Sequence, residues 1–371
     1  MHRYDDRAWG LVLSKALIAM SGGVDSSVAA FLMKQRGYDC TGVTMKLFNS
    51  DDIFDDIVAR ENTCCSLSDV EDARSVAFSL GMPFYVFNFS HDFKEQVIER
   101  FIGAYKSGAT PNPCIDCNRY MKFDKLFLRA KVLDIDYVVS GHYAVIEQNE
   151  KTGRYLLKKA ADVAKDQSYV LYSMTQEQLA HTLFPLGTLS KSEVREIAES
   201  QGFLNAKKRD SQDICFVPDG DYSNFIENYS GESFEPGNFV DLEGNVLGRH
   251  SGIARYTIGQ RKGLGLSFPR PMYVKSINPA ENAIELCENS KLFSVSVNAV
   301  DFNWISCDKI DSPIRVKAKI RYNHKEDYAT VTQTAESSAQ IEFDTPQRAI
   351  AKGQAVVLYD GDVVVGGGTI A

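Results

Sequence analysis

A serine–glycine run and a set of cysteines hold the residue types best suited to chemistry in this chain. Ser21-Gly22-Gly23-Val24-Asp25-Ser26-Ser27 directly follows the short apolar run Ala16-Leu17-Ile18-Ala19-Met20. That order predicts a strand breaking into a glycine loop and then a helix, Ser26 to Gln35, closed by Gly37. Gly22 and Gly23 let main-chain N–H groups approach an anion with no Cβ in the way. Ser21, Ser26 and Ser27 add hydroxyls, and the helix N-terminus adds a favourable dipole. The loop reads as a phosphate cradle. It lacks the Gly-Lys-Ser/Thr ending of a Walker loop, so an ordinary kinase or GTPase site is excluded.

The cysteines suggest a second kind of chemistry. Thr110-Pro111-Asn112-Pro113-Cys114-Ile115-Asp116-Cys117-Asn118-Arg119 is a proline-punctuated loop entering a helix that holds Met121–Ala130. A thiol at a helix N-terminus beside Arg119 is expected to have a lowered pKa and to act as a nucleophile. Cys215 stands in a short apolar run after Lys207-Lys208-Arg209. From spacing alone, an inert core thiol is equally open there. Cys114-Ile115-Asp116-Cys117 has the form of half a zinc site, but no second pair follows to complete it.

The elements that must position these residues follow from periodicity. Lys15–Met20, Cys40–Phe48, Pro83–Phe89 and Asp136–Ser140 read as strands. Helical patterns at Ser26–Gln35, about Ser68–Leu80, Asp92–Tyr105 and Arg119–Val132 lie between them, with Ser66 and Asp69 as caps of the second. This alternation predicts an α/β domain with a parallel sheet whose ligands bind beyond the strands' carboxyl ends. The glycine loop, Met45 and Gly141-His142 all fall at such ends. Helices are expected at Thr175–Leu183 and Ser190–Gln201. Short β-like runs follow at Phe239–Val240, Val246–Leu247 and Tyr256–Ile258. From about Tyr273 alternating strands continue to the terminal Val363–Ile370, which suggests a β-barrel. The expected domains are 1–217, with a helical extension, a small β-rich domain 218–274, and a barrel 275–371.

Composition bounds the partners. The 371 residues carry 41 basic and 49 acidic side chains, a formal net charge of −8. A protein coating phosphate backbones indiscriminately is usually basic, so any RNA must be met by local patches. Arg315, Lys317, Lys319 and Arg321 alternate with Val316, Ala318 and Ile320, which puts the cations on one face of a strand. An ordinary solvated strand face is the competing explanation. Lys207-Lys208-Arg209 and Arg261-Lys262 are further patches, while the acid-rich stretch from Asp51 to Asp72 is expected to face away from nucleic acid. No apolar stretch reaches the ~20 residues of a membrane span. Eight irregularly spaced cysteines fit a reducing compartment, and the acidic N-terminus argues against a secretory signal. A cytoplasmic protein, monomeric and without a membrane partner, is expected.

SGGVDSS resembles the pyrophosphate loop of N-type ATP pyrophosphatases. With TPNPCIDCNRYMKF, SGHYA, KDQSYVLY, KKRDSQDICF, YTIGQRKGLG and RYNHK, in that order, the chain resembles the tRNA-specific 2-thiouridylases of the MnmA family. That resemblance implies ATP-dependent 2-thiolation of the wobble uridine in tRNAs for lysine, glutamate and glutamine. It implies ATP against Ala19, Met20, Ser21, Gly22, Gly23, Val24, Asp25, Ser26, Met45 and Gly141, with Mg²⁺ offsetting charge. The target base falls against Asn112, Pro113 and Cys114. Cys117 is implied as nucleophile and Cys215 as persulfide carrier, loaded by a cysteine desulfurase or a sulfur-relay protein. His142, Lys165, Asp166, Gln167, Arg321, Tyr322 and Gln354 align with segments that touch tRNA.

One position departs from the family pattern. Many members carry aspartate where this chain has Cys114, and Asp116 is the nearest acid that could substitute. Cys114, Cys117 and Cys215 also make three thiolates able to hold an iron–sulfur cluster with one open iron. A persulfide route and a cluster route are therefore both open. Outside tRNA thiolation, a metabolite-ligating enzyme and a non-catalytic RNA binder are the alternatives.

Overall fold

A computed structural model describes residues 13–48, 67–208, 214–217 and 219–371. Ser66, Arg209 and most of the acidic stretch from Asp51 lie outside the described residues. The first domain contains β1 (Lys15–Ala19), α1 (Val24–Gln35), β2 (Asp39–Lys46), α2 (Leu67–Ser79) and β3 (Phe84–Asn88). There follow α3 (90–106), α4 (113–132), β4 (Tyr137–Ser140), the hairpin β5 (Val145–Gln148) and β6 (Tyr155–Lys158), α5 (Gln176–Ala180), β7 (Thr182–Leu183) and α6 (Lys191–Ser200). Five parallel strands lie in the order β3-β2-β1-β4-β7. The chain turns back across the sheet between β1 and β4, and at that switch point a crevice opens beyond the strand ends.

Period-two alternation splits the core. Ala16 and Ile18 pack with buried residues of α1, α2 and α6, whereas Leu17 packs with those of α3 and α4. Burying a side chain the size of Leu17 stabilises by about 1.5–3 kcal/mol. Helices α3 and α4 each contain a π-helical segment, Lys94–Ile98 and Cys117–Lys125. Such wide turns concentrate at functional sites.

The expected helix Thr175–Leu183 is cut short at β7. Thr175 does begin a helix, through a capping box with Gln178, but α5 ends at Ala180. Val138 then donates to the His181 carbonyl and Thr182–Leu183 pair with β4, so the sheet captures the chain the sequence reading made helical.

The middle domain holds α7 (Tyr222–Ser230), β8 (Gly237–Val240), β9 (Val246–His250), β10 (Tyr273–Asn278) and β11 (Ala283–Cys287). Its sheet order is β10-β11-β8-β9. Ala283–Glu285 pair with Asn238–Val240, so residues 275–287 belong to this sheet and not to the barrel, as the sequence reading had them. Tyr256–Ile258 is not a strand: it leads from a short 3₁₀ turn into the glycine loop.

The last domain is β12 (Phe293–Trp304), β13 (Ile314–Lys319), β14 (Asp327–Ala335), β15 (Ser338–Arg348), β16 (Ala355–Asp360) and β17 (Val363–Ile370). Antiparallel pairing runs β12-β15-β14-β13-β16-β17 and closes through β17–β12. Closure removes the exposed edges of a flat sheet. The hairpin β5–β6 reaches out of the first domain and pairs with β17 at Lys158–Val363. Thr110 N donates to the Lys352 carbonyl at 2.8 Å, which seats the proline loop on the barrel.

Candidate active site and nucleic-acid interface

The glycine loop leaves β1 at the switch point. Gly22 has φ +75°, and a Cβ there would lie 2.3 Å from the Asp69 carbonyl oxygen. A Cβ on Gly141 would lie 2.8 Å from the main chain of Asp25 and Ser26. Both positions exclude any side chain. Gly23 is the N-cap of α1 and offers no side-chain cap to its first-turn N–H groups, which an anion can satisfy. Ser26 and Ser27 hydroxyls donate to the Gly23 carbonyl at 3.0 Å each, and Ser21 N donates to Ser26 Oγ at 3.2 Å. Ser21 is exposed at the mouth. Ala19 and Met45 are half-buried, and Met20 is buried with its N–H on the Val43 carbonyl. These residues lie together at the ends of β1, β2 and β4.

A supporting layer was not legible in the sequence. Lys191 Nζ stands 2.7 and 2.8 Å from the two Asp25 oxygens, and the Tyr143 hydroxyl donates to Asp25 Oδ1 at 2.8 Å. Asn205 Nδ2 donates to the Gly22 carbonyl and to Ser27 Oγ, both at 2.9 Å. Lys208 pairs with Asp69 at 2.5 Å and Asp72 at 2.7 Å, so this member of the basic cluster braces the nucleotide loop and does not offer an open cation to RNA. Lys191, Asn205 and Lys208 lie far along the chain from Gly22, and no spacing rule connects them.

The thiols are carried by α4 and by the segment after α6. Asn112 caps α4 by accepting from Cys114 N at 3.2 Å, with Pro113 at the first helical position. Cys114 is exposed on that turn. Cys117 opens the π segment and packs, together with Cys215, against one apolar cluster built on Phe93, Val97, Phe101 and Met121. Phe216 anchors the second thiol: it is buried, with ring centroids 5.8 Å from Phe93 and 5.3 Å from Phe101. Residues 209–213, between Lys208 and Cys215, lie outside the described residues.

An iron–sulfur cluster does not fit these positions. Among the described residues no three His, Cys, Asp or Glu side chains approach closely enough to hold a metal ion. Cys114 faces solvent while Cys117 and Cys215 pack against apolar side chains.

Asp116 lines a cavity of about 320 Å³ with Arg100, Arg119, Tyr172 and Asp301, where α3 and α4 meet the barrel. Burial pushes its carboxyl up from 3.8 to about 6, against the lowering effect of Arg100 and Arg119. The folded state therefore keeps this proton longer than the unfolded chain. The stability it contributes is present below pH 4 and is lost as pH rises through about 6. Asp116→Asn should thus gain melting temperature relative to the parent between pH 4 and 7. A difference constant over that range would show that Asp116 does not titrate there.

The residues aligned with tRNA contacts divide. His142 does not present its ring to RNA: it is 8% exposed, lies between Phe123 and Phe184 at 5.7 Å each, and meets Ser140 Oγ at 2.7 Å. Burial holds its pKa well below the usual value, so it is a neutral core histidine. Asp166 accepts from Ala160 N and Ser168 Oγ, Gln167 accepts from Tyr143 N, and half-buried Lys165 lies beside them. Gln354 Nε2 donates to the Thr110 carbonyl at 2.7 Å, so it positions the proline loop. Tyr322 is exposed, edge-on to Tyr169 at 5.9 Å, with its hydroxyl on the Asp166 carbonyl. Desolvation of its hydroxyl end, then the Asp166 carboxylate, then the Cys114 thiol raise the Tyr322 pKa, which places Cys114 close to this ring.

Strand β13 does put its cations on one face, but each is engaged. Arg315 makes a fork on Asp344, Lys317 stands 5.3 Å over the Tyr328 ring, and Lys319 lies between Tyr169 and Tyr322. Arg321 turns to the Ala349 and Ile258 carbonyls, joining barrel and middle domain. At the Lys319–Tyr322 end the exposed Tyr322 ring, backed by Lys319, offers a stacking surface suited to single-stranded RNA.

This architecture defines a class first: a glycine-loop nucleotide domain joined to a small mixed domain and a closed barrel. Residues 14–219 match the model of the tRNA methyl transferase HUP domain, 223–288 the tRNA methyl transferase PRC-barrel domain and 294–370 the aminomethyltransferase beta-barrel domain. A tRNA-specific 2-thiouridylase MnmA of Clostridioides difficile is 56% identical over 96% of this chain and 98% of its own. One from Thermoanaerobacter sp. is 51% identical over 96% and 98%, and one from Symbiobacterium thermophilum 52% over 97% and 92%. The chain belongs to the tRNA-specific 2-thiouridylase MnmA family of enzymes. A solved 4-thiouridine synthetase–RNA complex with bound ATP aligns only at a TM-score of 0.35 and 18% identity, over 59% of this chain and 50% of that one. No helix among the described residues is long and apolar enough to cross a membrane.

Proposed function

We propose that this chain adenylates and then thiolates the wobble uridine of tRNAs for lysine, glutamate and glutamine, in the cytoplasm. The observation that carries the reading is the uncapped glycine loop at the β1–β4 switch point, with Cys117 and Cys215 packed against one cluster nearby. A uridine C2 carbonyl is a poor electrophile, so its oxygen must become a leaving group. Attack of that oxygen on the α-phosphate of ATP forms the adenylated base and releases pyrophosphate. The first-turn N–H groups of α1 and the exposed Ser21 hydroxyl stabilise the departing anion, while the Ser26 hydroxyl, donating to the Gly23 carbonyl, holds the shape of the loop. Mg²⁺ travels with the triphosphate; the loop's own carboxylate, Asp25, is committed to Lys191.

Sulfur arrives as a Cys215 persulfide from a cysteine desulfurase or relay protein. Its terminal sulfur attacks C2 and AMP leaves. The Cys117 thiolate then attacks the Cys215 sulfur, which frees the 2-thiouridine and leaves a Cys117–Cys215 disulfide for a dithiol reductant. In the alternative order Cys117 reduces the persulfide first, sulfide attacks C2, and the same disulfide forms. The target base must leave the anticodon stack to reach the thiols, and the Tyr322–Lys319 surface beside the proline loop supports that approach.

The test is pyrophosphate release from ATP with tRNA lacking the modification. Release that depends on that tRNA is expected. Release that needs a small metabolite in its place would indicate a ligase, and no release with either would indicate a pure RNA binder.

A further inference from the structure

We propose that Arg119 is a positioning residue for Cys117, holding the thiol-bearing turn of α4 against the barrel through Asp301. The inference rests on the thiolation reading above. Arg119 follows Cys117 by two residues within the π segment. Its Nη2 donates to Asp301 Oδ1 at 3.0 Å and its Nη1 donates to Oδ2, a two-point fork that fixes orientation as well as distance. The guanidinium also stands 5.3 Å over the Tyr120 ring.

The barrel side of the pair is unusual. Asp301 lies within β12 at φ +50°, where the β12–β17 register breaks between Val300 and Asn303. A non-glycine residue in this region is strained and persists only where its surroundings hold it. Asn303, two residues on, anchors the same bulge by donating Nδ2 to the Tyr172 and Met174 carbonyls at 2.7 and 3.0 Å. The pair borders the 320 Å³ cavity, so on that side close packing does not hold the guanidinium and the carboxylate does. A strained bulge thus presents one carboxylate to the turn that carries the nucleophile.

The experiment measures tRNA-dependent pyrophosphate release and 2-thiouridine formation separately. Variants are Arg119→Met, Asp301→Asn, their combination, Asp301→Gly, and the control Lys131→Met, which breaks the exposed pair that Lys131, also on α4, makes with Glu177 of α5. Each single variant should lose thiolation by about a hundredfold, the cost of roughly 1 Å of misplacement. The double variant should lose no more than either single one, while pyrophosphate release stays close to the parent's and Lys131→Met thiolates normally. Asp301→Gly relaxes the backbone, so it should melt no lower than the parent and still lose thiolation. Normal thiolation in either single variant, multiplied losses in the double, or pyrophosphate release falling in step with thiolation would each overturn the proposal. A lower melting temperature in Asp301→Gly that accounts for its loss would do so too. A parent protein that forms no 2-thiouridine at all would instead defeat the functional reading on which it rests.

Discussion

Cys117→Ser and Cys215→Ser are each expected to cut 2-thiouridine formation by more than about a thousandfold while still releasing pyrophosphate with unmodified tRNA. Labelled sulfur separates them. Cys215→Ser should fail to take up label from a desulfurase, whereas Cys117→Ser should take it up and stall. The reason is the division of labour proposed above, in which one thiol accepts the persulfide and the other resolves it. Adenylation, which uses the glycine loop, needs neither. Cys114→Ser should be milder. The side chain at 114 is exposed, and the contact that holds its turn runs from main-chain N to Asn112. A cluster on the three cysteines predicts three equally inactive variants and strict dependence on reconstituted iron. Label transfer to Cys215→Ser followed by normal product formation would remove Cys215 from the pathway.

Asp25→Ala is expected to lower adenylation by at least about a hundredfold with tRNA binding retained. Asp25 closes the first turn of α1 against Lys191 and Tyr143, and Lys191 in turn heads α6. Removing the carboxylate takes away the charge that neutralises Lys191, whose side chain is only 12% exposed, directly behind the first turn of α1. Lys191→Met should reproduce the defect from the other side. Asp25→Asn, which keeps an acceptor for the Tyr143 hydroxyl, should fall between. Filter binding of tRNA alongside pyrophosphate release checks the separation. Asp25→Ala protein that thiolates at the parent rate would show that the loop does not depend on this carboxylate.

Much of the chemistry could be read from local sequence because local sequence dictates it. Two glycines flanked by hydroxyls after an apolar strand favour an anion cradle, and Asn at the cap with Pro at the first helical position favours the helix start seen at Asn112-Pro113. Strand alternation predicted the burial of Val316, Ala318 and Ile320 against their cationic neighbours for the same reason: Cβ direction reverses at every residue. Ser190 and Thr175 cap their helices through short-range capping boxes.

Local sequence misleads where a distant partner decides. Thr182–Leu183 became a strand because β4 offered unpaired main-chain groups, and β11 joined the middle sheet because β8 lay beside it. His142 stands in a motif that aligns with tRNA contacts, yet two phenyl rings from α4 and the β7 exit seal it. Alternation could show which way the β13 cations point, but not that Arg315 would meet Asp344 or Arg321 the Ala349 carbonyl. The sequence by itself determined the strand–loop–helix cradle, the capped cysteine helix and the three-part order of domains, since each follows from contacts within a few residues. Only the tertiary structure decided that Lys191, Tyr143, Asn205 and Lys208 brace the nucleotide loop, and that Asp301 faces Arg119. Those contacts join residues more than a hundred positions apart, and chain folding, not spacing, brings their charges within reach.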